Sequence, residues 1–400
     1  MPDLVPYDYQ LSLSDDALEI LRANGLVYLA MEERTGKTLT AILAAEKSDV
    51  ERVLVITKKN ALGGWNETLE NFAHSKQYTV TNYHQVSKLT DSSAFDLVIL
   101  DESHNYVSSF PKVSKLWKVV AKLVRNKPII YISATPYAQG PQLLYNQFAL
   151  SSWSPWKKYS SSYNWFRDYG VPNTLWLAGR QVEQYNTVRS NDVLACVKHL
   201  FITKTRKELE FAHEPEDRLH SIELVKTTKD HYNTLQKDRV ITLKGQDLVA
   251  DTIMKLRTSL HMLEGGVAKI DDDYMVLDNT EKIDYILNVW GDSNDLVIMY
   301  NYKAEKTKLE KIFKHAVCLQ ATSFAEGIDL SHKKHLVIYS QDFSTARHTQ
   351  RRARQANKNR SEPIIVHYLL VNKAVSEQVY ETVTVNKTNF VDAMYERIEL

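Results

Sequence analysis

Four short aliphatic runs dominate the first 140 residues: VYLA (27–30), RVLVITK (52–58), LVIL (97–100) and PIIYIS (128–133). Each is strand-length and apolar throughout, without the alternation of a strand that has one wet face. Such runs belong in a parallel sheet covered on both faces. The stretches between them are long enough for crossover helices, LTAILAAEKS (39–48) among them. Strand–helix–strand order predicts an α/β fold with a doubly wound sheet.

The pattern returns late in the chain, in LVIMYNY (296–302), HAVCLQ (315–320), HLVIYS (335–340) and IIVHYLL (364–370). A second α/β lobe is therefore expected, and 400 residues suffice for two. The expected layout is a first lobe over 1–200, with an aromatic-rich insertion at about 140–190. A helical linker region over 201–275 and a second lobe over 276–400 follow. Residues 204–265 are charged and read as mostly helical, without a clear strand.

Charge narrows the function classes. Lys plus Arg number 50 and Asp plus Glu 49, a net charge of +1. A purely electrostatic nucleic-acid binder is excluded, though a local basic surface is not. Cys196 and Cys318 are far apart and form no CxxC, so a cysteine-built zinc cluster is excluded and no disulfide framework is expected. The N-terminus lacks a signal-peptide pattern, and no run of about 18 apolar residues exists. No membrane partner is expected, and the setting is a reducing cytoplasm.

Two segments could face a partner. In PKVSKLWKVVAKLVRNK (111–127), Lys112, Lys115, Lys118, Lys122 and Arg125 recur at helical spacing opposite an apolar face. A solvated helix face explains this pattern as well as a nucleic-acid surface does. Residues 150–180 hold Trp153, Trp156, Trp165 and Trp176. They could stack on bases or pack a subdomain against the core.

Chemistry enters where strands end. Gly36-Lys37-Thr38 falls between an apolar strand and a helix, the context a phosphate-binding loop requires. Amides of Thr35 and Gly36 can cradle phosphate oxygens, Lys37 can reach the β- and γ-phosphates, and the Thr38 hydroxyl can coordinate Mg²⁺. The general loop pattern places glycine at position 31, where this chain has Met31. Asp101-Glu102-Ser103-His104 directly follows the strand LVIL. Asp101 suits the Mg²⁺ and Glu102 the general base for attacking water. Ser133-Ala134-Thr135-Pro136 after the next strand could hydrogen-bond to the acidic pair.

Together these segments resemble the superfamily two helicases and translocases, and more closely the Swi/Snf-type ATPases, including compact phage and bacterial members. The resemblance spans nearly the whole chain and implies two tandem RecA-like lobes of the P-loop NTPase class. Tyr9-Gln10 matches the upstream glutamine motif, with Gln10 reading adenine. MEERTGKT, DESH and SATP resemble motifs I, II and III. VLVITKKNALGGWNETLENF resembles the block after motif I, with Trp65 at an aromatic position. HLFITKTRKELE (199–210) resembles the basic linker entering the second lobe. ATSFAEGIDLS resembles motif V, with Gly327 and Asp329 in the matching turn.

HTQRRARQANKNR stands in the place of motif VI, whose arginines stabilise the transferring phosphoryl. Arg351 and Arg354 have the R-x-x-R spacing and are preferred. Alignment on Gln350 gives Arg354 and Asn357 instead. The resemblance implies an ATP- and Mg²⁺-dependent double-stranded DNA translocase that remodels forks, branches or protein–DNA complexes. DNA would be held mainly through phosphates, by a monomer in a bacterial or phage-infected cell, with replication or repair proteins as partners. The alternatives are a strand-separating helicase and a nucleotide-gated switch acting on a protein.

Overall fold

The computed structural model describes residues 4–137, 140–177, 180–211, 215–321, 330, 332–343, 348, 352 and 362–385. The chain divides between Glu210 and Phe211 into two compact units.

The first unit opens with helix α1 (Asp8–Asn24), strand β1 (Leu26–Met31) and α2 (Lys37–Glu46). Then come β2 (Arg52–Thr57), α3 (Leu62–Asn71), β3 (Gln77–Asn82), β4 (Leu97–Asp101), α4 (Lys115–Val124) and β5 (Ile129–Ile132). Helices α5 (Leu143–Phe148) and α6 (Ser162–Tyr169), the antiparallel hairpin β6 (Asn173–Leu177)–β7 (Arg180–Gln184), α7 (Ser190–Val197) and β8 (Phe201–Lys204) complete it. The main sheet has the order β3-β2-β4-β5-β1-β8, and every pair in it is parallel. All six residues of β1 and all four of β5 are buried, as the continuous aliphatic runs predict. Because the strands are parallel, the ends of β4, β5 and β1 lie side by side along one sheet edge.

The second unit begins with β9 (Pro215–Ile222), α8 (Lys226–Asp238), the hairpin β10 (Val240–Leu243)–β11 (Gln246–Val249) and α9 (Ile253–Glu264). The hairpin β12 (Val267–Ile270)–β13 (Asp273–Val276), α10 (Glu281–Val289), β14 (Leu296–Tyr300), α11 (Lys303–Ile312) and β15 (Val317–Gln320) follow. Strands β16 (His335–Ile338) and β17 (Ile364–Val371), helix α12 (Val375–Tyr380) and a π-helical turn (Glu381–Val385) end the described part. Its sheet, β15-β14-β16-β17-β9, is again wholly parallel. Ile298, Val337 and Leu369 bury one face, and Val297, Leu336 and Val366 the other. Two such sheets form the tandem RecA-like architecture of P-loop NTPases. Among the described residues no helix is long and apolar enough to cross a membrane.

One reading changes, and one open choice closes. The stretch 204–265 holds strands as well as helices, and β9 is one of them. Its sequence, PEDRLHSI, lacks an aliphatic run because it is an edge strand with several exposed residues. The aromatic segment is mostly core: Trp156 is 2% and Trp165 0% exposed, with ring centroids 5.3 Å apart. Trp165 also stacks on Tyr169 at 5.1 Å. Neither tryptophan presents a face for a base, whereas Trp153 is 42% exposed. The side chain of Trp176 lies outside the described residues. Helix α4 forms with the Ser114 hydroxyl accepting from Trp117 N. Its apolar face buries Val120, Leu123 and Val124, and Lys112, Lys115, Lys118, Lys122 and Arg125 are exposed.

Candidate active site

The loop joining β1 to α2 turns through two left-handed residues, Arg34 (φ 65°) and Gly36 (φ 75°). Gly36 is required twice. Its φ disfavours a side chain, and a Cβ there would lie 2.0 Å from Gln10 Nε2. Thr35 is buried, and its hydroxyl donates to Glu32 O at 2.7 Å. Lys37 opens α2 and folds back over the loop, donating from Nζ to Met31 O at 2.9 Å and Glu32 O at 2.5 Å. Burial pulls the Lys37 ammonium below its ordinary range. Glu33, Glu102 and Asp101 oppose that shift, and Arg206 adds to it. Thr38 follows, half-buried in the first turn.

Helix α1 braces the loop from one side. The Gln10 amide donates to Gly36 O at 3.2 Å, and Tyr9 Oη donates to Thr35 O at 3.2 Å. Gln10 Oε1 accepts from Tyr7 N at 2.9 Å, so the side chain also caps its own helix.

Asp101 ends β4. Its Oδ2 accepts from Thr57 Oγ1 at 2.7 Å and from Trp65 Nε1 at 3.0 Å. Two neutral donors therefore orient the carboxylate through one oxygen. Burial, and then the neighbouring Glu102 carboxylate, raise its pKa, and the two donors oppose the shift. Glu102 is buried in a left-handed conformation (φ 51°), and its N–H continues the sheet by donating to Ile132 O at 2.8 Å. His104 Nδ1 lies 3.5 Å from Glu102 Oε2 and 2.9 Å from Ser133 Oγ, and its Nε2 lies 3.4 Å from Thr135 Oγ1. The Ser133 and Thr135 hydroxyls thus meet His104, which lies beside Glu102 of the acidic pair.

Thr35 and Gly36 lie in the loop and Lys37 and Thr38 in the first turn of α2, Gln10 reaches the loop from α1, and Asp101 and Glu102 stand at the end of β4 on the same sheet edge. Gly327, Asp329, Arg351 and Arg354 lie outside the described residues. Arg352, between the two candidate arginines, is engaged within the second unit. It donates from Nε to Asp217 Oδ1 at 2.7 Å and from Nη2 to Pro215 O at 2.6 Å. Four residues that sequence reasoning did not place in the site also contribute: Thr57, Trp65, His104 and Arg206. Trp65 carried a signal through its aromatic position, but its hydrogen bond to Asp101 spans 36 residues. His104 belongs to the DESH motif and Arg206 to the segment that resembles the basic linker, whereas Thr57 has no local pattern.

Among the described residues no group of three or more His, Cys, Asp or Glu could hold a metal ion. The donor set still fits Mg²⁺, which takes one or two protein oxygens and fills its shell with phosphate and water. Asp101, an oriented carboxylate, and Thr38, a hydroxyl in the first turn after Lys37, are such oxygens.

Residues 63–138 match the family model described as type III restriction enzyme, res subunit. That stretch runs from α3 through Asp101–Glu102 to just past Pro136. No curated protein matches the chain. Among solved structures the chain is similar to the SWI2/SNF2 ATPase core domain of Sulfolobus solfataricus. The identity is 15% and the TM-score 0.44, over 97% of this chain and 92% of that one.

Proposed function

We propose that this chain hydrolyses ATP and uses the cycle to translocate on double-stranded DNA. One observation carries the hydrolytic part. A loop built to approach phosphate, with Lys37 at its base, lies on the same sheet edge as an oriented carboxylate and a second buried one. That combination can hold a polyphosphate and activate water beside it.

In this reading the amides of Thr35 and Gly36 and the Lys37 ammonium bind the phosphates. Gln10 reads adenine, for which its amide keeps a second hydrogen beyond the one given to Gly36 O. Thr38 and Asp101 would hold Mg²⁺, which supplies charge neutralisation at the phosphates when bound. Glu102 orients and deprotonates the attacking water. His104, within reach of Glu102 and both motif III hydroxyls, ties the state of the base to the end of β5. Gly327, Asp329, Arg351 and Arg354 rest on the motif resemblance, the arginines to stabilise the transferring phosphoryl.

The DNA part rests on that resemblance and on the exposed basic face of α4, which gives a near-neutral chain a local site for phosphates. Steady-state ATPase rates with no polymer, single-stranded DNA, duplex DNA, forked DNA and RNA test it. Translocation predicts strong stimulation by duplex DNA that grows with length. Stimulation by single strands with duplex opening favours the strand-separating helicase. ATP turnover that no polymer changes ends the motor reading and leaves the nucleotide-gated switch.

A further inference from the structure

Helix α1 braces one half of the phosphate loop. A segment distant in sequence braces the other. Glu32 N donates to Lys204 O at 3.0 Å, which extends the β1–β8 pairing one residue past Met31 and Lys204. Two residues on, Arg206 N donates to Glu32 Oε2 at 2.6 Å, across 174 residues of sequence. The guanidinium donates from Nη1 to Glu33 O at 3.3 Å. Its Nε stands 3.8 Å from Glu32 Oε2 and its Nη1 3.8 Å from Glu33 Oε2. The Arg206 side chain is 8% exposed, an expensive place for a cation without a task.

Glu32 and Glu33 pose an electrostatic problem for a phosphate loop. Two adjacent carboxylates repel a polyphosphate, and Glu33 is the carboxylate that acts most strongly on Lys37. Glu33 Oε1 is buried without a hydrogen-bond partner among the described residues. A Glu33 that is not held by a cation competes with the phosphates for Lys37. The carbonyls on which Lys37 rests, Met31 O and Glu32 O, belong to the same braced stretch.

We propose that Arg206 is a positioning residue for nucleotide binding: it occupies Glu32 and Glu33 and braces the loop so that Lys37 is released to the phosphates. The inference rests on the ATP-site reading above. Arg206 acts through Glu33 and the loop, and it touches neither the nucleotide nor the water. Its loss should therefore weaken ATP binding while leaving turnover at saturation nearly intact.

The test measures binding of a fluorescent ATP analogue, and KM and kcat for ATP, on the full chain, with thermal melts to confirm folding. Arg206→Ala should weaken binding about tenfold, the worth of one hydrogen bond to a charged group. The double variant Arg206→Ala with Glu33→Gln should bind within about threefold of Glu33→Gln alone, because the competitor for Lys37 is gone. A residue that merely supports the fold would not be rescued by removing a second side chain. If Arg206→Ala fails to fold, Arg206→Gln, which removes the charge and keeps a hydrogen-bond donor, carries the same comparison. Unchanged affinity in the single variant, or equal loss in single and double variants, overturns the proposal alone. A wild-type chain that binds no nucleotide overturns the ATP-site reading and this proposal with it.

Discussion

The two units are each built on a parallel sheet of their own but use buried charge differently. In the first, Lys37, Asp101, Glu102, Glu33 and Arg206 gather around one phosphate loop and the strand end near it. Their charges act on one another there. In the second, the described buried ions are tied to backbone. Lys282 Nζ donates to Tyr339 O at 2.8 Å. Lys308 Nζ donates to Gly266 O at 3.2 Å, Leu277 O at 3.1 Å and Asn279 O. Glu264 accepts from Val375 N at 2.9 Å, and Glu305 accepts from Tyr302 N at 2.9 Å and Ser340 Oγ at 2.6 Å. One architecture can thus spend its ionisable groups on a ligand or on holding its own loops. Backbone groups hold ions in both units, Met31 O and Glu32 O under Lys37 among them; what sets the first apart is that its charged side chains converge on one loop and the strand end beside it.

The comparison breaks first at Glu102. Glu102→Gln should retain ATP binding and lose turnover on the order of a thousandfold. Single-turnover hydrolysis checks it, and full activity would remove Glu102 as the base. Next comes the opposite case in the second unit. Lys282→Met strips Glu264 and Glu305 of a buried countercharge. It should cost about 3–5 kcal/mol of stability in urea unfolding. Nucleotide affinity of the folded protein should hold, and a variant that loses affinity without losing stability would put Lys282 among the functional charges.

A smaller effect is expected at the edge of the first site. Trp65→Phe keeps the ring and removes one of the two donors to Asp101. The rate should fall about tenfold, in line with one lost hydrogen bond to a charged group. A wild-type rate would show that Thr57 alone orients the carboxylate.

The smallest effect is a pH slope in the second unit. His335 Nδ1 meets His367 Nε2 at 3.2 Å, His367 Nδ1 meets His220 Nε2 at 2.9 Å, and His220 Nδ1 meets Tyr285 Oη at 2.8 Å. Burial, with His220, His335 and Arg218 adding to it, pushes His367 down to about 3. Burial also lowers His220 and His335, although Asp295 and Glu362 oppose the shift at His335. The folded state therefore binds fewer protons than the unfolded one below about pH 6.5, and stability falls as pH drops from there toward 3. One such histidine contributes at most about 1.4 kcal/mol per pH unit. Urea midpoints at pH 7.5 and 5 should diverge in the wild type and diverge less in His367→Asn, with His220, His335 and buried His261 keeping the remainder.

Much of this was legible in residue order. Aliphatic runs mark buried parallel strands because both faces of such a strand are dry, and that alone specifies two α/β lobes. Gly36-Lys37-Thr38 and Asp101-Glu102 are local signals, since a loop geometry and a strand end each need only neighbouring residues. Sequence was weak where a strand sits at an edge, as in β9, because an edge strand need not be apolar. It left open whether Trp156 and Trp165 face a ligand or a core, since both uses favour the same side chains. Contacts across tens of residues were decided by tertiary structure alone. The order β4-β5-β1 sets Asp101 and Lys37 on one edge, Trp65 reaches Asp101, and β8 delivers Arg206 to Glu32 and Glu33. Periodicity and motif spacing describe what a segment does by itself. Which charges end up sharing a site depends on strand order and packing, and those are properties of the folded sheet.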